Sequence, residues 1–134
     1  MRQTIALFGE AEKGELASPF FIQSLIQLNE ELGNPPEESR GIDFAVQFLL
    51  YECALIYVRV EEEGFSSHQY TKGINLLIEH AQAPPLAAIC LPGVGNENII
   101  SATKPLCELY NTLIITTERD LYDYLTSLRR SYYL

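Results

Sequence analysis

Three groups of residues in this chain have the types and spacing that chemistry uses. The first is a glycine corner, Leu91-Pro-Gly-Val-Gly-Asn-Glu97, which joins an apolar run to a helical pattern. Gly93 and Gly95 let the backbone turn without a Cβ clash, and the first free N–H groups of the following helix then point outward with the positive end of the dipole behind them. Gly93, Gly95 and Asn96 are therefore candidate ligand-binding residues for a small anion, with Gly9 and Gly14 of an earlier loop as the facing wall. The second group is Glu61-Glu62-Glu63. A triple acid can hydrogen-bond sugar hydroxyls, hold a divalent cation or supply a general acid/base raised by its like-charged neighbours, and Glu61 and Glu63 are the candidate catalytic carboxylates. The third is Ser66-Ser67-His68, in which His68 is a candidate catalytic or ligand-contacting residue at a helix start.

The elements that must position these groups follow from periodicity. Thr4–Phe8 is rich in strand formers and stops at Gly9, which predicts a first buried strand. Ser18 with Pro19 at the first helical position predicts a helix with a stripe of Phe21, Leu25, Leu28 and Leu32, ended by Gly33. Ile42–Glu52 is read as a short helix and Ala54–Val60 as the second strand. Ser66 and Gln69 match a capping box for a helix carrying Tyr70, Ile74, Leu77 and Ile78, with His80 in its last turn and Pro84-Pro85 closing it. Leu86–Leu91 is the third strand, Glu97–Tyr110 a helix kinked at Pro105, and Thr112–Thr117 the fourth strand. Thr117 and Asp120 resemble another cap, before a last amphipathic helix with Leu121, Tyr124, Leu125 and Leu128.

Strands separated by helices require crossovers. The expected fold is a three-layer α/β/α sandwich with a mostly parallel sheet of about four strands, Rossmann-like or flavodoxin-like, in one domain over residues 1–134. In such sheets ligands sit beyond the carboxyl ends of the strands, where Gly9–Ser18, Glu61–Ser67, Pro92–Asn98 and Thr116–Asp120 come together.

Composition narrows the partners. With a formal charge of −9 and nine Lys and Arg among 134 residues, the chain lacks the clustered cations that nucleic acid or an acidic membrane demands. The apolar stretch from Phe44 to Val60 contains Gln47, Glu52 and Arg59 and is too short for a bilayer span, so no membrane partner is expected. Cys53, Cys90 and Cys107 form no CxxC pair and read as apolar residues of a reducing compartment, with no metal site. Neither a signal peptide nor a cleavage site is evident, which points to the cytoplasm. The end Leu128-Arg-Arg-Ser-Tyr-Tyr-Leu134, in a chain with eight tyrosines, reads as a docking surface for a homo-oligomer, with C2 the default symmetry, or for a protein partner.

Known nucleotide motifs limit the ligand. Gly9 and Gly14 have a G-x4-G spacing, but Glu15 stands where a P-loop has lysine; no G-x-G-x-x-G occurs either. Leu91-Pro-Gly-Val-Gly-Asn-Glu97, between strand and helix, resembles a shortened strand–PGGxGT–helix motif of the LOG/lysine-decarboxylase-like (SLOG) nucleotide-binding proteins. That resemblance implies a Rossmann-like fold and a nucleotide or phosphate ligand. It places Gly93 and Gly95 on motif glycines, Asn96 on the threonine and Ile99 on the acidic position, so the hydrolytic carboxylate is not carried over. The leading expectation is a domain binding a nucleotide-like or other small anionic ligand, its cofactor unknown. The alternatives are a non-catalytic interaction or assembly module using the acidic surface and the Tyr-rich end, and an N-glycosidase or deoxyribosyltransferase-like enzyme using Glu61, Glu62 or Glu63.

Overall fold

The computed structural model describes residues 2–79 and 85–133, with side chains through 128. His80 and Pro84 lie outside the described residues. The chain runs β1 (Thr4–Gly9), β2 (Pro19–Ile22), α1 (Leu25–Leu32), α2 (Gly41–Leu50), β3 (Ala54–Arg59), α3 (Ser67–Glu79), β4 (Leu86–Cys90), α4 (Glu97–Ala102), α5 (Lys104–Tyr110), β5 (Leu113–Ile115) and α6 (Glu118–Tyr133).

One sheet of five strands, in the order β2-β3-β1-β4-β5, organises the domain. β1 pairs in parallel with β3 (Ile5 opposite Leu55) and with β4 (Ile5 opposite Ala88), and β4 pairs in parallel with β5. Both faces of β1 are buried, as a central parallel strand requires. Ile5, Leu7, Leu55, Tyr57 and Cys90 share one core with residues of α1, α2 and α6, such as Leu28, Phe48 and Leu121. Ala6, Phe8, Ile56, Val58 and Ile89 share the other with residues of α3, α4 and α5, such as Tyr70, Ile99 and Leu106. Helices thus cover both faces. No helix among the described residues is long and apolar enough to cross a membrane.

Three expectations are corrected. The sheet has five strands, because Pro19–Ile22 is an antiparallel edge strand on β3 (Phe20 opposite Tyr57) and not the first turn of a helix. Proline is tolerated at the first position of an edge strand, and Ile22 is fully buried as a strand residue. The helix starts at Leu25, where the Gln27 N–H donates to Ser24 Oγ (3.1 Å) and the Gln27 side-chain oxygen accepts from the Gln23 N–H (2.9 Å). Ser24-x-x-Gln27 is thus the capping signal that outweighs Ser18-Pro19. The helix kinked at Pro105 is two helices. α4 stops at buried Thr103, whose hydroxyl donates to the Ile100 carbonyl (2.6 Å), and Pro105 sits in the first turn of α5, where its missing N–H costs nothing. Ser66 and Gln69 do not form the expected box. Ser66 Oγ accepts from the Glu62 N–H (2.8 Å) and Gln69 Oε1 from the Glu61 N–H (2.6 Å), so both brace the acidic loop.

Other expectations hold to within a few residues. α2 and β3 fall where the Ile42–Glu52 helix and the Ala54–Val60 strand are expected, separated at Glu52, whose φ of 64° ends the helical path. The cap of α6 forms as expected: the Asp120 N–H donates to Thr117 Oγ1 (3.1 Å), and Asp120 Oδ2 accepts from the Thr116 and Thr117 N–H groups. Those N–H groups hold the Asp120 carboxyl below the ordinary carboxylate range, the Thr116 bond contributing most.

Candidate functional site

From β1 the parallel strands continue to β3 on one side and then to β4 on the other. The order therefore reverses between β1 and β4, which is where an open parallel sheet leaves its crevice. The loops after β1, β3 and β4 end there. At this edge Glu63, in the loop after β3, meets the loop after β1 and the start of α2.

The Glu63 carboxylate accepts N–H bonds from Glu10 (3.1 Å), Arg40 (3.0 Å) and Gly41 (3.2 Å). The last two come from the N-terminus of α2, which otherwise presents unsatisfied donors and a positive dipole end. Glu10 reciprocates, since its own carboxylate accepts the Glu63 N–H at 3.0 Å. The Tyr57 hydroxyl donates to the Glu10 carbonyl (2.7 Å), and the Gly64 N–H donates to the Tyr70 hydroxyl (2.7 Å). Tyr70 in turn stacks on Phe8 with ring centres 5.6 Å apart. The β3–α3 loop is thereby tied to the end of β1, to α2 and to the core beneath.

Two contacts explain why glycine stands at the joints. A Cβ on Gly9 would come within 2.6 Å of Tyr57 Oη and 2.7 Å of Gly41 Cα, so β1 and α2 meet backbone to backbone. A Cβ on Gly64, at φ +87°, would lie 2.5 Å from the Gly93 carbonyl oxygen. The acidic loop therefore rests directly on the glycine corner.

The electrostatics follow from this packing. Burial pushes the Glu63 carboxyl up from its ordinary range, against the N–H bonds that pull it down. Burial, with the Glu63 charge next, also raises the Tyr57 hydroxyl. Burial pushes the Cys53 thiol up to about 11 and raises Cys90 as well, so neither is an activated nucleophile. All three cysteines are free. Among the described residues no three His, Cys, Asp or Glu side chains converge as a metal site would require.

The other singled-out residues fall into separate places. Gly93 (φ +77°) and Gly95 have open space in front of their Cβ positions, and Val94 between them is buried. The corner's donors are partly used: the Gly93 N–H donates to the Thr116 carbonyl (3.3 Å), the Val94 N–H to the Leu91 carbonyl (3.1 Å), and the Asn98 N–H to Asn96 Oδ1 (2.8 Å). Gly14 packs against Leu32 and the Glu31 carbonyl, and its own carbonyl accepts from the Arg59 guanidinium. That places it toward the β2–β3 side, while Gly93 follows β4. Glu61, Glu62, Ser67 and His68 are exposed at the loop and the start of α3.

Sequence reasoning missed Glu10, Arg40, Tyr57 and Tyr70 as partners of the acidic loop. One signal was available: Gly41 opens a helix without a capping side chain, and a glycine inside a helix costs about 1 kcal/mol against alanine unless something must approach closely. No family model matches this chain, and no curated protein or solved structure matches it either.

Proposed function

We propose that this chain is a non-catalytic assembly module, an α/β domain that acts by binding protein, itself or another, through its outer surfaces. The observation that carries this reading is that the α2 N-terminus, the helix start beside the end of β1, is already capped from within the chain. Glu63 accepts its N–H groups, and Gly64 rests on Gly93. Glu61, Glu62 and His68 are exposed. Fold alone implies no chemistry.

The outer surface supports the same reading. Phe21, Leu25 and Ile26 are exposed along β2 and α1, and Leu109, Leu113 and Ile114 at the opposite edge. Leu113 and Ile114 are successive residues of an edge strand and face opposite sides of the sheet, so β5 lacks cover on both. In finer terms the architecture is a three-layer α/β/α sandwich with flavodoxin-like order in its parallel strands, and three free cysteines suit a cytoplasmic protein. Sedimentation velocity, with affinity capture from cell extract, tests the reading. A stoichiometric complex, homomeric or heteromeric, is expected; a monomer that captures no stoichiometric partner overturns it.

A second reading has one observation in its favour. Gly95 has no positive φ and nothing near its Cβ position, so neither conformation nor packing calls for glycine there. Close approach of a small nucleotide-like ligand to the Gly93–Asn96 backbone would account for it, in line with the resemblance to the SLOG motif. Titration calorimetry against a panel of nucleotides and sugar phosphates tests this, and no heat from the folded chain across the panel removes it.

A further inference from the structure

Between α2 and α6 lies a cavity of about 350 Å³, open to solvent. Phe44, Leu121 and Leu125 form its apolar floor, while Asp43, Glu118 and Tyr122 stand among its lining. Arg40 is the cation there, and its contact with Glu118 is a loose 3.9 Å pair between exposed side chains. Tyr122 is 70% exposed, which is high for a tyrosine beside an apolar floor.

α6 is asymmetric along its length. Its first part carries Glu118, Asp120 and Asp123 against Arg119, a formal −2, and its remainder, Tyr124 to Tyr133, contains no acid and the two arginines Arg129 and Arg130, a formal +2. Arg129-Arg130 is the only adjacent pair of cations in the chain, and Tyr132 and Tyr133 follow it. The floor residues are already buried, so it is the two acids at the rim, Asp43 and Glu118, that match the cations carried by the far end of the same helix. That end cannot fold back onto its own groove. α6 is one helix through Tyr133, and at about 1.5 Å per residue Arg129 lies roughly 10 Å further along the axis than Tyr122.

We infer that a second copy of this chain fills the α2–α6 groove, the two α6 helices packing antiparallel about a two-fold axis near Leu125. The inference deepens the assembly reading and rests on it. Antiparallel pairing brings the cationic half of each helix beside the acidic half of the other, whereas parallel pairing would set like charges together. By helical rise, position 129 of each copy then falls level with position 122 of the other, beside the acidic first half of α6. An isologous pair satisfies both grooves at once, which no single-groove partner does.

The test uses the full chain and charge reversal at the two ends. One variant carries Arg129→Glu and Arg130→Glu; the other carries Asp43→Arg and Glu118→Arg. Circular dichroism checks that each is folded, and sedimentation velocity reads association. The unmodified chain is expected to dimerise, more weakly in high salt. Each variant alone is expected to dimerise at least about tenfold more weakly, since like charges across an interface are costly. An equimolar mixture of the two is expected to recover a heterodimer, because both of its groove–tail contacts again pair opposite charges. A monomeric unmodified chain overturns the inference. A dimer indifferent to the variants, or a mixture that stays dissociated, overturns it too. In the indifferent case the assembly reading survives with another surface as its interface.

Discussion

Removing the Glu63 side chain is the perturbation whose cost the geometry specifies best. In Glu63→Ala the N–H groups of Glu10, Arg40 and Gly41 lose their acceptor. The Arg40 group is exposed and rehydrates, so the cost falls on the two part-buried donors, about 1–1.5 kcal/mol each, with about 0.5 kcal/mol more for the lost anion at the α2 N-terminus. Relief of the buried charge offsets part of this, leaving about 2–3 kcal/mol. For 134 residues the unfolding entropy is about 0.28 kcal/mol per degree, so Tm should fall by about 7–11 °C. Urea and thermal unfolding at fixed protein concentration measure both quantities.

Glu63→Gln separates charge from shape. Because burial raises the Glu63 carboxyl on folding, its contribution is fully present below the unfolded value of about 4.3 and is lost as pH rises through the higher folded value. Glutamine cannot ionise and has no such slope. The stability of the unmodified chain relative to Glu63→Gln should therefore decrease from about pH 4 to pH 7. A Glu63→Ala cost below about 0.5 kcal/mol would refute the role of Glu63 as the internal cap of α2. A gap to glutamine that widens with pH would refute the view that burial dominates.

Gly64→Ala should cost about 2 kcal/mol or more in urea unfolding, since it combines a positive φ with a collision on the Gly93 carbonyl, while Gly95→Ala should stay within about 0.5 kcal/mol. Tyr70→Phe keeps the stack on Phe8 but removes the acceptor of the Gly64 N–H, and a loss of about 1–2 kcal/mol is expected by the same assay. Thiol titration of the native protein should leave Cys53 and Cys90 unmodified, with all three cysteines reacting only in denaturant or, for half-buried Cys107, slowly before it. Asp120→Asn should remove a stabilisation that the unmodified chain loses as pH falls below the ordinary carboxylate range, since N–H bonds lower that group on folding.

Local pattern alone determined much of this protein. The buried runs Thr4–Phe8, Ala54–Val60 and Leu86–Leu91 become the three adjacent parallel strands because a strand buried on both faces leaves a continuous apolar run. The cap at Thr117 and Asp120 was equally legible, its donors and acceptors lying within four residues. Tertiary structure decided where local signals competed. Ser18-Pro19 and Ser24-x-x-Gln27 both announce a helix, and only the pairing of Phe20–Ile22 with Leu55–Tyr57 selects the second, since strand pairing depends on residues more than thirty positions away. The acidic run shows the same limit. Its sequence allows a metal, a sugar or solvent as the partner of Glu63, while the fold brings the N–H groups of Glu10 and Arg40, 53 and 23 positions distant, to that carboxylate. Hydrogen-bond donors on the backbone carry no sequence signature, so which of them a buried acid meets is fixed only when the chain has folded.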